Sequence, residues 1–218
     1  MSLSKLSFLV ILVCFAVTNL TAQRNYDSYN RIGVTGGITI FDINTDDLQT
    51  VSENGFTAGF TTRGPFYNDF DLIYGINFAG NKVGVKGSNL LSTEEILYQF
   101  QAAQVTFLGS YNLIKHHLSV EFGPILNING NLKLENDKFA DYILEGYNTL
   151  RAEEIQNISR FNFHLAGGIT TGFEGFKISG IYQYGVTNML NKLNDQNLEN
   201  DDFEGHSSTI VIAGTFYF

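Results

Sequence analysis

Four histidines, His116, His117, His164 and His206, set the limit on acid–base and metal chemistry in this chain. His206 follows Asp201, Asp202 and Glu204, and carboxylates with imidazole are ligand types that suit a divalent metal. An acidic, solvated loop explains the same residues. Ser207 and Ser208 adjoin His206, but neighbours along a strand point to opposite faces, which parts a nucleophile from its base. His164 shares the spacing of Arg160 and Asn162, on a face where it would act as a general base or, more simply, as a hydrogen-bonded interior side chain. His116 and His117 suit a solvated turn. Phosphate-loop, dinucleotide and CxxC signatures are absent. The residues therefore predict no catalytic, cofactor-binding or metal site, with a hydrolase acting at the loops kept as the enzymatic alternative.

The single cysteine, Cys14, lies within Met1 to Ala22. Lys5 precedes the apolar run Leu6 to Val17, which is shorter than the roughly 20 residues a spanning helix needs. The polar stretch Thr18 to Thr21 and small Ala22 follow it. This is the pattern of a cleavable signal peptide, residues 1–22, which leaves one domain, 23–218, without cysteine and so without disulfide or thiolate chemistry. No later segment has the length of a spanning helix, so if the chain crosses a membrane, strands must do it.

The elements that position these side chains are written in period-two alternation. Ile32, Val34, Ile38 and Ile40 oppose Arg31, Gly33, Thr35, Gly37 and Thr39. Phe56, Ala58, Phe60 and Thr62 oppose Gly55, Thr57, Gly59, Thr61 and Arg63. Phe70, Leu72, Tyr74, Ile76 and Phe78 oppose Asp69, Asp71, Gly75 and Asn77. The fourth stretch, Gln99 to Tyr111, is the least regular; four more follow from Leu118, Arg160, Phe176 and Thr209. With 22 Gly, 19 Phe, 11 Tyr and only 2 Pro, the composition suits aromatic-rich strands.

A soluble barrel turns its large apolar side chains inward and its charges to water. Here Arg31, Arg63, Asp71, Glu121, Arg160 and Lys177 all fall on the face of small and polar residues, while the aromatic and aliphatic faces carry no charge. That division fits a narrow lumen and a lipid-facing wall. Lys82 alone extends an apolar register, and is placed above the bilayer or past a bulge at Gly80 and Asn81. Short connections at 64–68, 112–117 and 174–175 alternate with long ones at 42–53, 86–98, 130–159 and 188–206. The predicted fold is an all-β, eight-stranded antiparallel up-and-down transmembrane β-barrel of the Gram-negative cell outer membrane, with short periplasmic turns and long extracellular loops. Side chains can fill so narrow a barrel, which disfavours an open pore.

The long connections hold 17 of the 22 acidic residues and five of the 13 basic ones. So acidic an exterior disfavours nucleic acid; it suits basic ligands, divalent cations or simple solubility. Within the third long connection, Lys138 to Ile155 is expected to form a short amphipathic helix through Phe139, Tyr142, Ile143 and Leu150, as a partner-binding lid or a loop cap.

The run Gly59-Phe60-Thr61-Thr62-Arg63-Gly64-Pro65-Phe66, followed by Phe70 to Phe78, resembles the second hairpin of the PorT-like outer-membrane β-barrel proteins of Bacteroidota. Tyr111-Asn112-Leu113 through Leu118 to Pro124 is similar to the third hairpin of that family. The resemblance spans the whole chain after residue 22 in loose hydrophobic and glycine patterns, and implies an accessory role in protein export as one reading. Ile210, Ile212, Phe216 and Phe218 also resemble the terminal strand that the barrel-assembly machinery reads in outer-membrane barrels, which makes that machinery and outer-membrane lipid the expected partners.

If both termini are periplasmic, Arg31, Arg63, Asp71, Glu121 and Lys177 lie near the inner mouth, where they are expected to form a charge network closing the lumen, with Arg63 and Asp71 paired across a short turn. The alternative is a water-filled mouth. The function expected from all this is non-enzymatic, structural or in surface interaction.

Overall fold

The computed structural model describes residues 31–89 and 92–218; the expected signal peptide, residues 1–22, and the domain start at Gln23 lie outside them. The strands are β1 Arg31–Asn44, β2 Thr50–Tyr67, β3 Phe70–Ser88, β4 Thr93–Ile114, β5 Leu118–Asn129, β6 Lys133–Leu134, β7 Ile143–Leu144, β8 Phe161–Gly172, β9 Phe176–Gly185 and β10 His206–Tyr217. Eight of them, all but β6 and β7, form an antiparallel ring in chain order that closes where β1 meets β10, with Gly33 opposite Tyr217 and Asn44 opposite His206. Closure pairs every strand on both sides, which is what backbone N–H and C=O groups require in lipid. Among the described residues no helix is long and apolar enough to cross a membrane.

Even-numbered apolar residues of β1, β2, β3, β5, β9 and β10 point outward and stay exposed: Ile32, Val34, Ile38 and Ile40 on β1, Phe56 and Phe60 on β2, Tyr74, Ile76 and Phe78 on β3; on β8 the odd-numbered Phe161, Phe163 and Leu165 do so. On β1 this band covers nine residues, about 30 Å along the strand; at a tilt of about 40° it rises close to the 25 Å apolar height of outer-membrane barrels. Inside, Ile73, Leu108, Ile125, Ala166, Ile181, Val211 and Ala213 form a buried apolar layer. The lumen is therefore not lined by polar groups alone. Glycine lets the ring close tightly: a Cβ on Gly168 would strike the backbone of Gly180 and Ile181 on β9.

The inner connections are short, as expected. Asn68 turns the chain between β2 and β3 with φ 51°, and His116 does so between β4 and β5 with φ 66°; Asn and His tolerate this left-handed region better than most residues. At Pro124 the β4–β5 ladder skips from the Thr106–Ile125 pair to the Gly109–Phe122 pair, consistent with a proline that has no N–H to donate.

Two outer connections are much shorter than the sequence suggested. β2, β3 and β4 run on past the apolar band, so 42–53 contracts to 45–49 and 86–98 to 89–92. The strands continue because their alternation does, with the apolar side reversed. Below the boundary, β4 turns Val105 and Phe107 outward; above it, Phe100, Tyr98 and Ile96 turn inward. On β3 the change falls between outward Phe78 and inward Val83 and Val85. Lys82 keeps its outward register opposite Gln99, with no bulge in β3; the irregularity lies in β2, between Ser52 and Phe56. Its ammonium pairs with Glu135 at 2.9 Å.

The inward apolar side chains of these extensions join Phe41, Ile43, Leu132, Leu144, Leu150, Ala152, Ile155, Met189, Leu190, Leu193 and Phe203 in one buried core across the outer end of the barrel. The expected helix over 138–155 does not form. The segment breaks into two 3₁₀ turns, Asp137–Phe139 and Ala152–Gln156, around the strand β7. Gly146, at φ 98°, reverses the chain between them so that Ile143 pairs with Arg151.

Candidate functional site

The inner mouth is organised by Arg63, an inward residue near the lower end of β2 that is only 4% exposed. Its guanidinium donates to the Glu121 carboxylate on β5, to Asp71 Oδ2 on β3 at 3.2 Å and to Ser110 Oγ on β4 at 3.1 Å. Asn112 Nδ2 supports Asp71 at 3.1 Å, and Ser119 Oγ lies 3.5 Å from Glu121 Oε1. A buried charge needs a partner and further hydrogen bonds to offset its desolvation, and three neighbouring strands supply them here.

Of the five charges expected to meet, three therefore join: Arg63, Asp71 and Glu121. Lys177 is buried beside them, yet its ammonium donates to the His116 carbonyl at 3.0 Å. Arg31 turns to the rim, where its Nη2 meets Glu174 Oε2 at 2.9 Å. Arg160, read as a polar-face residue, precedes β8 and is exposed. The sequence reading missed Ser110, Asn112, Glu174 and Tyr217. Tyr217 carried a signal, an aromatic residue on the polar face of the last strand; it lines the mouth cavity with Arg63 and Lys177.

Further out, the lumen sets His164 against Ser207, not against its sequence neighbours. His164 Nε2 lies 3.0 Å from Ser207 Oγ and 2.7 Å from Asn127 Nδ2. As a nucleophile and base this pair is incomplete: Nδ1 has no hydrogen-bond partner to orient the ring, and both side chains are buried beneath the outer core. His206 instead stacks on Tyr184 and contacts Glu204 Oε1 at 3.3 Å. Among the described residues no cluster of three or more His, Cys, Asp or Glu is placed to hold a metal.

The outer cap is tied together by polar contacts within its core and at its rim. Tyr98 Oη donates to the Ala152 carbonyl at 2.8 Å, and Tyr147 Oη to the Asp47 carbonyl at 2.9 Å. Glu199 accepts the backbone N–H groups of Asn148, Thr149 and Leu150, latching the 186–205 connection to the turn after β7. Those backbone donors at Asn148 and Thr149 hold its carboxyl down at a pKa of about 2. A depressed carboxyl contributes its linkage above the ordinary value and loses it as pH falls toward the folded one. The latch is thus intact at neutral pH and released between about 4.5 and about 2. Glu199→Gln is expected to release it at neutral pH, seen as faster amide exchange at Asn148, Thr149 and Leu150; unchanged exchange would show that the cap core alone holds the turn.

A ring of eight lipid-faced strands, packed shut at its outer end and charge-lined at its inner one, defines a transmembrane β-barrel with a filled lumen. Residues 21–191 match the family described as outer membrane protein beta-barrel domain, and the chain belongs to that family. It resides in the cell outer membrane. Among solved structures it is similar to Ail of Yersinia pestis, at 17% identity over 87% of this chain and 99% of that one with a TM-score of 0.46. It is also similar to OprG of Pseudomonas aeruginosa, at 12% identity, 88% and 97% coverage and a TM-score of 0.46. Neisserial surface protein A gives 8% identity, 86% and 97% coverage and a TM-score of 0.49. No curated protein matches the chain.

Proposed function

We propose that this protein is a non-enzymatic, non-conducting outer-membrane scaffold whose work is structural or lies in surface interaction through its acidic cap. The observation that carries the reading is the apolar core of the outer end, in which Phe41, Val83, Tyr98, Leu150, Met189 and Phe203 from three strands and two loops pack together over the lumen. A conduit would leave that path polar and wet. The Arg63 cluster closes the inner end, and the burial of Ser207 and His164 weighs against a hydrolase, which needs its nucleophile within reach of substrate.

Purified protein in planar bilayers is expected to show no steady conductance while migrating as a compact, heat-modifiable band on a denaturing gel. Steady conductance from the folded form would overturn the reading. The resemblance to PorT-like proteins favours a second role, as an accessory of protein export. A deletion strain assayed for secretion, envelope leakage and lipid composition separates the two: lost secretion with an intact envelope supports export, and leakage supports a structural role. Outer-membrane lipid is the proposed surrounding partner, and the barrel-assembly machinery the proposed partner during biogenesis.

A further inference from the structure

Buried polar atoms without a protein partner are expensive and therefore rare, and in this barrel they are not scattered. Arg63 Nε, Asn77 Oδ1 and Thr170 Oγ1 have no hydrogen-bond partner, and all three residues line one cavity of about 100 Å³ in the middle of the lumen. A second cavity, of about 10 Å³, lies outward of it. Asn127 Oδ1 and His164 Nδ1, also unpartnered, belong to residues lining that one. Gln104 lines both, and its Nε2 donates across the lumen to Gln183 Oε1 at 3.2 Å. The remaining atom of this kind among the described residues, Gln196 Nε2, belongs to the outer loop.

The chemistry of the three central atoms selects what fills the larger cavity. Arg63 Nε can only donate, Asn77 Oδ1 can only accept, and the Thr170 hydroxyl does either. Arg63 and Lys177 outnumber the single carboxylate, Glu121, among the charges lining the same space, which disfavours a cation, and an anion would leave Asn77 Oδ1 unmatched. A neutral molecule that both donates and accepts satisfies all three. The rest of the wall mixes the apolar Ile73, Leu108, Ile125 and Ile181 with neutral polar side chains such as Thr106 and Gln183, a lining that suits water.

We infer that the lumen is a built hydration site: a cluster of ordered waters bridges Arg63, Asn77 and Thr170, and a single water bridges Asn127 and His164. A cavity holds one water from roughly 10–15 Å³ upward and wants two to four polar partners for it, which the two spaces meet at one water and at several. Arg63, Lys177 and Tyr217 line both the central cavity and the inner mouth, so exchange with bulk water runs through that partition on the periplasmic side, and the apolar cap bars it on the other.

Thr170→Val tests the larger site, because valine keeps the shape and removes only the hydroxyl. If the hydroxyl is bound to cavity water, the variant loses a hydrogen bond and its thermal midpoint on heat-modifiability gels falls by about 2–4 °C. If the cavity is dry, the variant removes an uncompensated polar group and its midpoint rises, which would overturn the inference. A crystal structure of the intact barrel at a resolution that shows water supplies the second measurement. Density within hydrogen-bond distance of Thr170 Oγ1 and Asn77 Oδ1 is expected, and side chains rotated to pair directly with one another would refute the site.

Discussion

Arg63→Met is expected to lower the thermal midpoint of the folded barrel by about 10 °C. Removing one partner of a buried ion pair costs about 3–5 kcal/mol, and each 1 kcal/mol moves the midpoint of a chain this size by about 2–4 °C. The cost comes from what is left behind. Glu121 is as buried as Arg63, so without the guanidinium its carboxylate loses its ion-pair partner and keeps Ser119 Oγ, at 3.5 Å, as its side-chain hydrogen bond. Asp71 is more exposed and keeps Asn112. Arg63→Met/Glu121→Gln should therefore recover most of the loss, while Arg63→Met/Asp71→Asn should recover little. Lys82→Met is the control, because the Lys82–Glu135 pair sits on the outer surface at roughly 40% exposure on each side and pairs of that kind contribute about 0–1 kcal/mol. Equal effects at the two arginine and lysine sites would show that the mouth is solvated and that Arg63 holds nothing together.

Phe218→Asp is expected to reduce the amount of barrel in the outer membrane severalfold while leaving the stability of refolded protein nearly unchanged. Phe218 ends the outward row of Ile210, Ile212 and Phe216 and is 52% exposed. Its N–H donates to the Ile32 carbonyl at 2.9 Å, on the strand that closes the ring. A charge at this edge of the lipid-facing surface costs only about 0–1 kcal/mol, because it lies far from the bilayer midplane. A large loss in cells beside a small change in refolded protein places the defect in assembly, as a terminal signal read by the assembly machinery requires. If membrane levels stay normal, the signal lies elsewhere; if levels and refolded stability fall together, the residue acts only through packing.

The barrel was legible in the sequence because lipid and lumen impose opposite demands at every second residue, and β8, β10 and β1 as far as Ile40 turn their large apolar side chains to lipid accordingly. Legibility failed where the solvent changes. Above Lys82 and Gln101 the outside is water, so the apolar side of β3 and β4 moves inward; the period survives, but the pattern reads as noise to a rule that assigns one face to lipid. That is why the stretch Gln99 to Tyr111 looked irregular and why 86–98 read as a loop. The helix expected over 138–155 had the right apolar residues for burial, yet Gly146 and Asn148 break it, and those residues reach the core from separate turns. At the mouth, Arg63 and Asp71 could be matched because a two-residue turn joins their strands. Lys177 could not be assigned to the His116 carbonyl, nor Ser207 to His164, because both contacts depend on how strands distant in sequence come together.

The composition of the cap carries a consequence for the order of events in biogenesis. Its core takes Phe41 and Ile43 from the first strand and Phe203 from just before the last, groups that become neighbours only after β10 has zipped onto β1. Until then the outer loops have no complete apolar surface to fold upon and remain accessible to protease. The cap is thus a late-folding element, and its protection from cleavage serves as a clock that starts when the circle closes.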